Sequence, residues 1–157
     1  MRLLLDTHVV LCWLGDSEQL TPRVRRAISE ASNEVWVSAV SIAEIAIKQS
    51  VGKFALPQTW PDAIEAGGFD ELPLAWQHAH VLSSLPRHHR DPFDRLLIAQ
   101  AIAEDLTLVS ADPAIARYDV RMLDWSGTLD SVARRAGGTP ATAAVRSVPV
   151  AEPHPPS

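Results

Sequence analysis

The sequence holds one cysteine, Cys12, and that scarcity closes two routes. No intramolecular disulfide can form, and no cysteine-cluster zinc site can be built. Hard oxygen ligands are what remain for a bound metal. Lysine is almost as rare, with two residues against twelve arginines. Long apolar runs are also missing, since none approaches the roughly 18 residues needed to span a membrane. The N-terminus passes from Arg2 directly into strand-like residues and does not resemble a signal peptide, so a cytoplasmic location is expected. Net positive charge is lacking as well. A formal charge of −5 argues against coating nucleic acid by bulk electrostatics, because phosphate binding uses a basic face. Local basic patches remain at Arg23, Arg25 and Arg26, and again at Arg87, His88, His89 and Arg90.

What is present fits one folded domain. The chain has 157 residues, 46% of them hydrophobic, which is enough for a single core. Apolar runs alternate with helical periodicity, the signature of β-α-β construction and an open α/β sheet. Strands are expected over 2–5, 35–37, 107–109 and 120–123, with a shorter one near 72–74. Helices are expected over 7–14, from Thr21-Pro22 to about 31, over 38–51 with Gly52 as the stop, and over 93–104. Weaker helical patterns cover 60–66 and 76–85, and a helical turn covers 113–117. The folded domain, 1–125, ends near Trp125. Residues 126–157 are expected to form a C-terminal extension with one short helix at 129–136. From about Gly137 onward it is rich in Pro, Ala, Ser and Thr and is expected to be largely disordered.

Four carboxylates stand at the ends of these apolar segments or inside one. Asp6 follows the first strand, where it can cap a helix or face the crevice at the carboxyl ends of the strands. Glu44 is the only formal charge between Val35 and Ile47, on a helix with an apolar face. No cap explains it, and an i,i+4 pair with Lys48 adds only a few tenths of a kcal/mol. Asp91 precedes Pro92 as a helix cap would, and Asp94 falls in the first turn of that helix. Asp112 precedes Pro113 in the same way after the strand at 107–109. Any one of these acids can be structural. Together they converge on one crevice, where like charges about 4 Å apart repel by several kcal/mol at an effective dielectric near 20. Such a tetrad stays ionised only around a cation, and oxygen ligands select Mg²⁺ or Mn²⁺.

The runs Leu3-Leu4-Leu5-Asp6-Thr7, residues 37–45, residues 91–101 and Leu108-Val109-Ser110-Ala111-Asp112 resemble, in that order, the PIN-domain ribonucleases. Within them the chain is similar to the VapC-type toxins of bacterial type II toxin-antitoxin systems. The resemblance covers nearly all of the folded part. It implies a three-layer α/β/α sandwich around a parallel sheet, and a metal-dependent endoribonuclease that hydrolyses RNA as the toxin of a toxin-antitoxin pair. It further implies a homodimer and neutralisation by a small antitoxin protein. It maps Asp6, Glu44 and Asp94 to the family's metal-binding acids and Asp112 to the more variable fourth acid, with Thr7 and Ser110 as small hydroxyl residues flanking the pocket. Asp91 rivals Asp94 for the third position, and Asp94 is preferred because it begins the Asp-x-x-x-Ile-Ala-x-Ala helix.

Arg87, His88, His89 and Arg90 precede this turn and are candidates for holding the RNA backbone. The five tryptophans suit core or interface packing better than base stacking. Two other classes compete. A metal-dependent phosphatase or receiver-like phosphoacceptor domain also places acids at strand ends, but here Asp6 is followed by Thr7 and His8 rather than by a second acid. A non-catalytic binding module has no reason to keep all four acids.

Overall fold

The first apolar run, Arg2–Leu5, forms the central strand of the molecule, β1. The computed structural model describes residues 1–53 and 55–125. The C-terminal extension, with the short helix expected there, lies outside the described residues. Five strands make one sheet in the order β3-β2-β1-β4-β5, where β2 is Glu34–Ser38, β3 Asp70–Leu72, β4 Thr107–Ser110 and β5 Met122–Asp124. Every pairing is parallel. Leu4 faces Trp36 on one side and Leu108 on the other.

Strand alternation splits the core into two layers. Leu3 and Leu5 point to one face, where they meet Val9 and Val10 of α1 (Thr7–Leu14) and Val24 and Ile28 of α2 (Pro22–Ser29). Trp60 of α4 (Trp60–Ala66) joins the same cluster. Leu4 and Leu108 point the other way, against Leu97, Ile98 and Ala101 of α6 (Pro92–Ala103). Helix α5 (Trp76–Ser84) packs on α6, and α3 (Ala39–Ser50) gives Ile45 to the first layer and Val40 to the second. A sheet buried on both faces explains the nearly continuous leucine run of β1. The result is a three-layer α/β/α sandwich. Among the described residues, no helix is long and apolar enough to cross a membrane.

Caps fix where the helices begin. Thr21 accepts from the Val24 N–H with Pro22 in the first turn, and Ser38 caps α3 through the Val40 N–H at 3.0 Å. Helix α2 stops at Ser29 rather than at 31 because Glu30 takes an extended conformation, ψ 118°. Strand β3 ends at Leu72 instead of reaching 74, since Pro73 has no N–H to give a ladder. Gly52 ends α3 at φ 71°, a left-handed conformation that suits glycine.

One buried polar network ties α6 to the β2–β3 side of the sheet. Ser38 donates to Gln100 Oε1 at 2.5 Å, and the Gln100 amide donates to the Pro73 carbonyl at 3.2 Å. Both Ser38 and Gln100 are fully buried. Replacing Gln100 by Leu strands a hydroxyl and a carbonyl, so a loss of about 1–3 kcal/mol is expected, read as a lower midpoint in urea unfolding.

Candidate metal centre

The strand order reverses at β1, since the chain first builds outward through β2 and β3 and then returns to place β4 on the opposite side. In open α/β sheets a crevice forms at the carboxyl ends of the strands at such a switch point. Asp6 stands there. Its N–H continues the ladder to the Val109 carbonyl (3.1 Å), and its Oδ1 accepts from the Val9 N–H at 2.7 Å, capping α1. The capping and crevice positions expected of Asp6 are therefore both realised. Burial pushes its carboxyl above the ordinary range, against the opposing hydrogen bonds of Ser110 and Val9.

Glu44 enters from α3 and is only 5% exposed. Thr7, in the first turn of α1, donates to Glu44 Oε2 at 2.5 Å. The other oxygen, Oε1, accepts from the Lys48 ammonium one turn along. The i,i+4 pair forms, yet it does not draw Glu44 to the surface. The bond to Glu44 raises the Lys48 pKa, and the nearby charges of Asp91 and Asp94 add to this.

The turn before α6 separates its two aspartates by job. Asp91 Oδ1 accepts from the Phe93 N–H at 2.8 Å with Pro92 opening the helix, which is an ordinary cap. Asp94 makes no such bond. Burial, then the charge of Asp91, pushes its carboxyl up to about 6. Asp112, past the end of β4, accepts from the Ala114 N–H through Oδ1 (2.8 Å) and from His89 Nε2 through Oδ2 (2.6 Å). Its N–H donates to Ser110 Oγ at 3.1 Å. Burial raises the Asp112 carboxyl, but the His89 and Ala114 hydrogen bonds and the His89 charge outweigh it and leave the group below its ordinary value.

These side chains line one pocket of about 430 Å³: Asp6, Glu44, Asp91, Asp94 and Asp112, with Thr7 and Lys48. His8 and Trp125 form a further part of its wall, stacked with centroids 5.2 Å apart. The pocket thus gathers all four acids singled out in the sequence, and the rival Asp91 with them. Ser110 is fully buried beside it.

The basic run divides. Arg87 and Arg90 are exposed, and together with His89 and Arg95 they line a second cavity of about 460 Å³. His88 is turned against the Tyr118 ring, with centroids 5.0 Å apart. His89 points inward, 2.6 Å from Asp112 and 3.3 Å from Asp94, so its ring lies between the acidic and the basic cavity. The Asp91 N–H donates to His89 Nδ1 at 3.1 Å. That places the ring hydrogen on Nε2 and makes His89 a donor to the carboxylates. Although His89, Asp94 and Asp112 bring ligand atoms within 4.8 Å of one another, the imidazole serves the acids rather than competing for a metal. The donor set that remains is carboxylate oxygen, and five carboxylates share the pocket with one lysine. Both suit a hard divalent cation.

Sequence reading did not place Lys48, His8 or Trp125 in the pocket. The one available signal was the spacing of Lys48, four residues after Glu44 on a helix.

The PIN domain family model matches residues 3–121. The chain belongs to the PIN domain family. No curated relative matches its sequence. Among solved structures, the PIN fold here is similar to VapBC2 from Rickettsia felis, bound to a DNA fragment from its promoter. The identity is 16%, the TM-score 0.64, and coverage is 80% of this chain and 99% of that one. DNA-bound VapBC from Salmonella typhimurium gives 18% identity, a TM-score of 0.60, and coverage of 80% and 98%. VapBC-1 from nontypeable Haemophilus influenzae gives 17%, 0.58, and coverage of 80% and 99%. At these identities the likeness is one of fold, and this PIN domain spans almost the whole of each matched chain.

Proposed function

We propose that this PIN domain is a metal-dependent endoribonuclease acting in the cytoplasm as the toxin of a toxin-antitoxin pair. The observation that carries the reading is the convergence of Asp6, Glu44, Asp94 and Asp112 in one pocket at the switch point of the sheet. The fold shared with VapBC structures from three bacteria supports the toxin assignment and a cognate antitoxin protein as partner, and a homodimer is part of the same proposal. Asp6, Glu44 and Asp94 would hold Mg²⁺ or Mn²⁺, with Asp112 as the fourth acid and Thr7 and Ser110 as supports. A divalent ion held there would supply Lewis-acid polarisation of the RNA phosphodiester and activation of water.

The chain's own residues do the positioning. Thr7 fixes the Glu44 carboxylate, the Val9 N–H fixes Asp6, and His89 fixes Asp112. Arg87 and Arg90 stand on the far side of His89, where exposed guanidinium groups can hold the RNA backbone next to the acids, with His88 and His89 supporting that rim. Replacing Arg87 and Arg90 by Ala should weaken single-stranded RNA binding. The slope of log affinity against log salt should become shallower by about 0.7 for each phosphate contact removed, with metal affinity unchanged.

Inducible expression in a bacterial host, with mapping of RNA ends, tests the function as a whole. Growth arrest and new cleavage ends that disappear in Asp94→Ala are expected. Normal growth with no new ends would count against a toxin. Release of inorganic phosphate from small phosphoesters, with RNA left intact, would favour the phosphatase class instead.

A further inference from the structure

One positive charge inside the acidic pocket belongs to the chain itself. Lys48 lies one helical turn beyond Glu44 on α3, and its ammonium donates to Glu44 Oε1. Its side chain is 34% exposed and that of Glu44 is 6%, so the pair sits in the pocket wall rather than on a solvated helix face. Lys48 lines the same cavity as Asp6, Asp94 and Asp112.

The other acids are served unequally. Glu44 is bonded by both Thr7 and Lys48, Asp112 by both His89 and the Ala114 N–H, and Asp6 by both Ser110 and the Val9 N–H. Among the described residues, Asp94 has only the His89 Nε2 at 3.3 Å, and that nitrogen is closer to Asp112. Uncompensated negative charge is therefore concentrated at Asp94, beside Asp6, while the Glu44 side already carries a cation. Two-metal nucleases place their ions about 3.5–4 Å apart, bridged by shared carboxylates. An ammonium bound to one of those carboxylates repels a dication from the same place.

We propose that Lys48 occupies the second-cation position of this pocket, so that the site takes one divalent ion per chain, held by Asp6, Asp94 and the Glu44 oxygen that Lys48 leaves. This inference rests on the metal-dependent reading above. An ammonium has three donors, of which one goes to Glu44. The other two are free to face an RNA phosphate oxygen, which is the service a second ion would otherwise perform. The charge also shields Glu44 from its acidic neighbours, so the pocket keeps its shape before metal arrives.

Mn²⁺ binding to the full-length chain, followed by titration calorimetry and electron paramagnetic resonance, tests this without any activity measurement. The wild type should bind one Mn²⁺ per chain with no signal from a coupled pair. Lys48→Met should bind two, with the exchange-coupled spectrum of neighbouring ions, and Lys48→Arg should return to one. Lys48→Gln, equally neutral and more polar, provides the same reading if Lys48→Met does not fold. Two ions in the wild type, or a single ion in a folded neutral variant, would overturn the role of Lys48. No Mn²⁺ binding in any of the chains would overturn the metal-dependent reading as well, so the two failures are distinguishable.

Discussion

Replacing Asp94 by Ala is expected to abolish RNA cleavage, whereas replacing Asp91 is expected to leave it within a few-fold of wild type. The two aspartates are three residues apart and line the same pocket, but they have different occupations. Asp91 spends Oδ1 on the Phe93 N–H and holds the start of α6. Its loss removes a cap, worth about 1 kcal/mol of stability, and takes one negative charge from the neighbourhood of Asp94. Asp94 caps nothing, and its carboxylate is the least compensated in the site. Removing partners that merely orient a metal ligand costs about 10–100-fold, so loss of a direct ligand should exceed that range. Cleavage rates and Mn²⁺ affinities measured side by side for the two variants decide it. Equal losses in both, or a larger loss in Asp91→Ala, would reverse the assignment of the third acid.

The same residue should behave oppositely toward stability. Burial and Asp91 raise the Asp94 carboxyl from 3.8 to about 6, so its folded pKa lies above its unfolded one. The stabilisation this brings is fully present below the unfolded value and is lost as pH rises through about 6. At pH 8 an ionised Asp94 therefore works against the metal-free fold. Its side chain is about one-quarter exposed, so solvent screens part of the effect, and about 1–2 kcal/mol is expected to remain. Asp94→Asn should accordingly raise the thermal midpoint of the metal-free protein at pH 8 and have little effect at pH 4. It should also lose the stabilisation that metal gives wild type, about 2.7 kcal/mol at a metal concentration 100 times the dissociation constant. Thermal unfolding at both pH values, with Mn²⁺ and with EDTA, checks the sign. A variant less stable than wild type at pH 8 without metal would mean that the Asp94 carboxylate is satisfied in the resting site.

Sequence patterning located the fold well where local and tertiary signals agree. Strand β1 and helix α1 run as expected because an unbroken leucine run meets a capping aspartate. Helix α4 also matches, at Trp60–Ala66. The misplacements are local and physical. Strand β3 is displaced toward its N-terminal side by Pro73, and β5 runs over Met122–Asp124 rather than 120–123. Apolar composition said little about individual tryptophans. Trp60 and Trp125 are buried, whereas Trp76 is 89% exposed.

The four acids were legible because carboxylates bordering apolar runs demand compensation, and the fold brings them to one pocket. What surrounds them was harder to see. For Lys48, helix spacing gives the distance from Glu44 but not the burial of that face. His89 was grouped with its basic neighbours. Only the turn geometry, in which the Asp91 N–H holds Nδ1, shows that the ring faces the acids while Arg87 and Arg90 face outward.

Incubating the purified chain with single-stranded RNA, with Mg²⁺ or Mn²⁺ and then with EDTA, tests the central claim most directly when Asp6→Asn is run beside wild type. The account predicts discrete fragments from wild type with metal, and intact RNA both with EDTA and in the variant. RNA left intact by wild type at every metal concentration, or fragments that persist in EDTA or in Asp6→Asn, would contradict it.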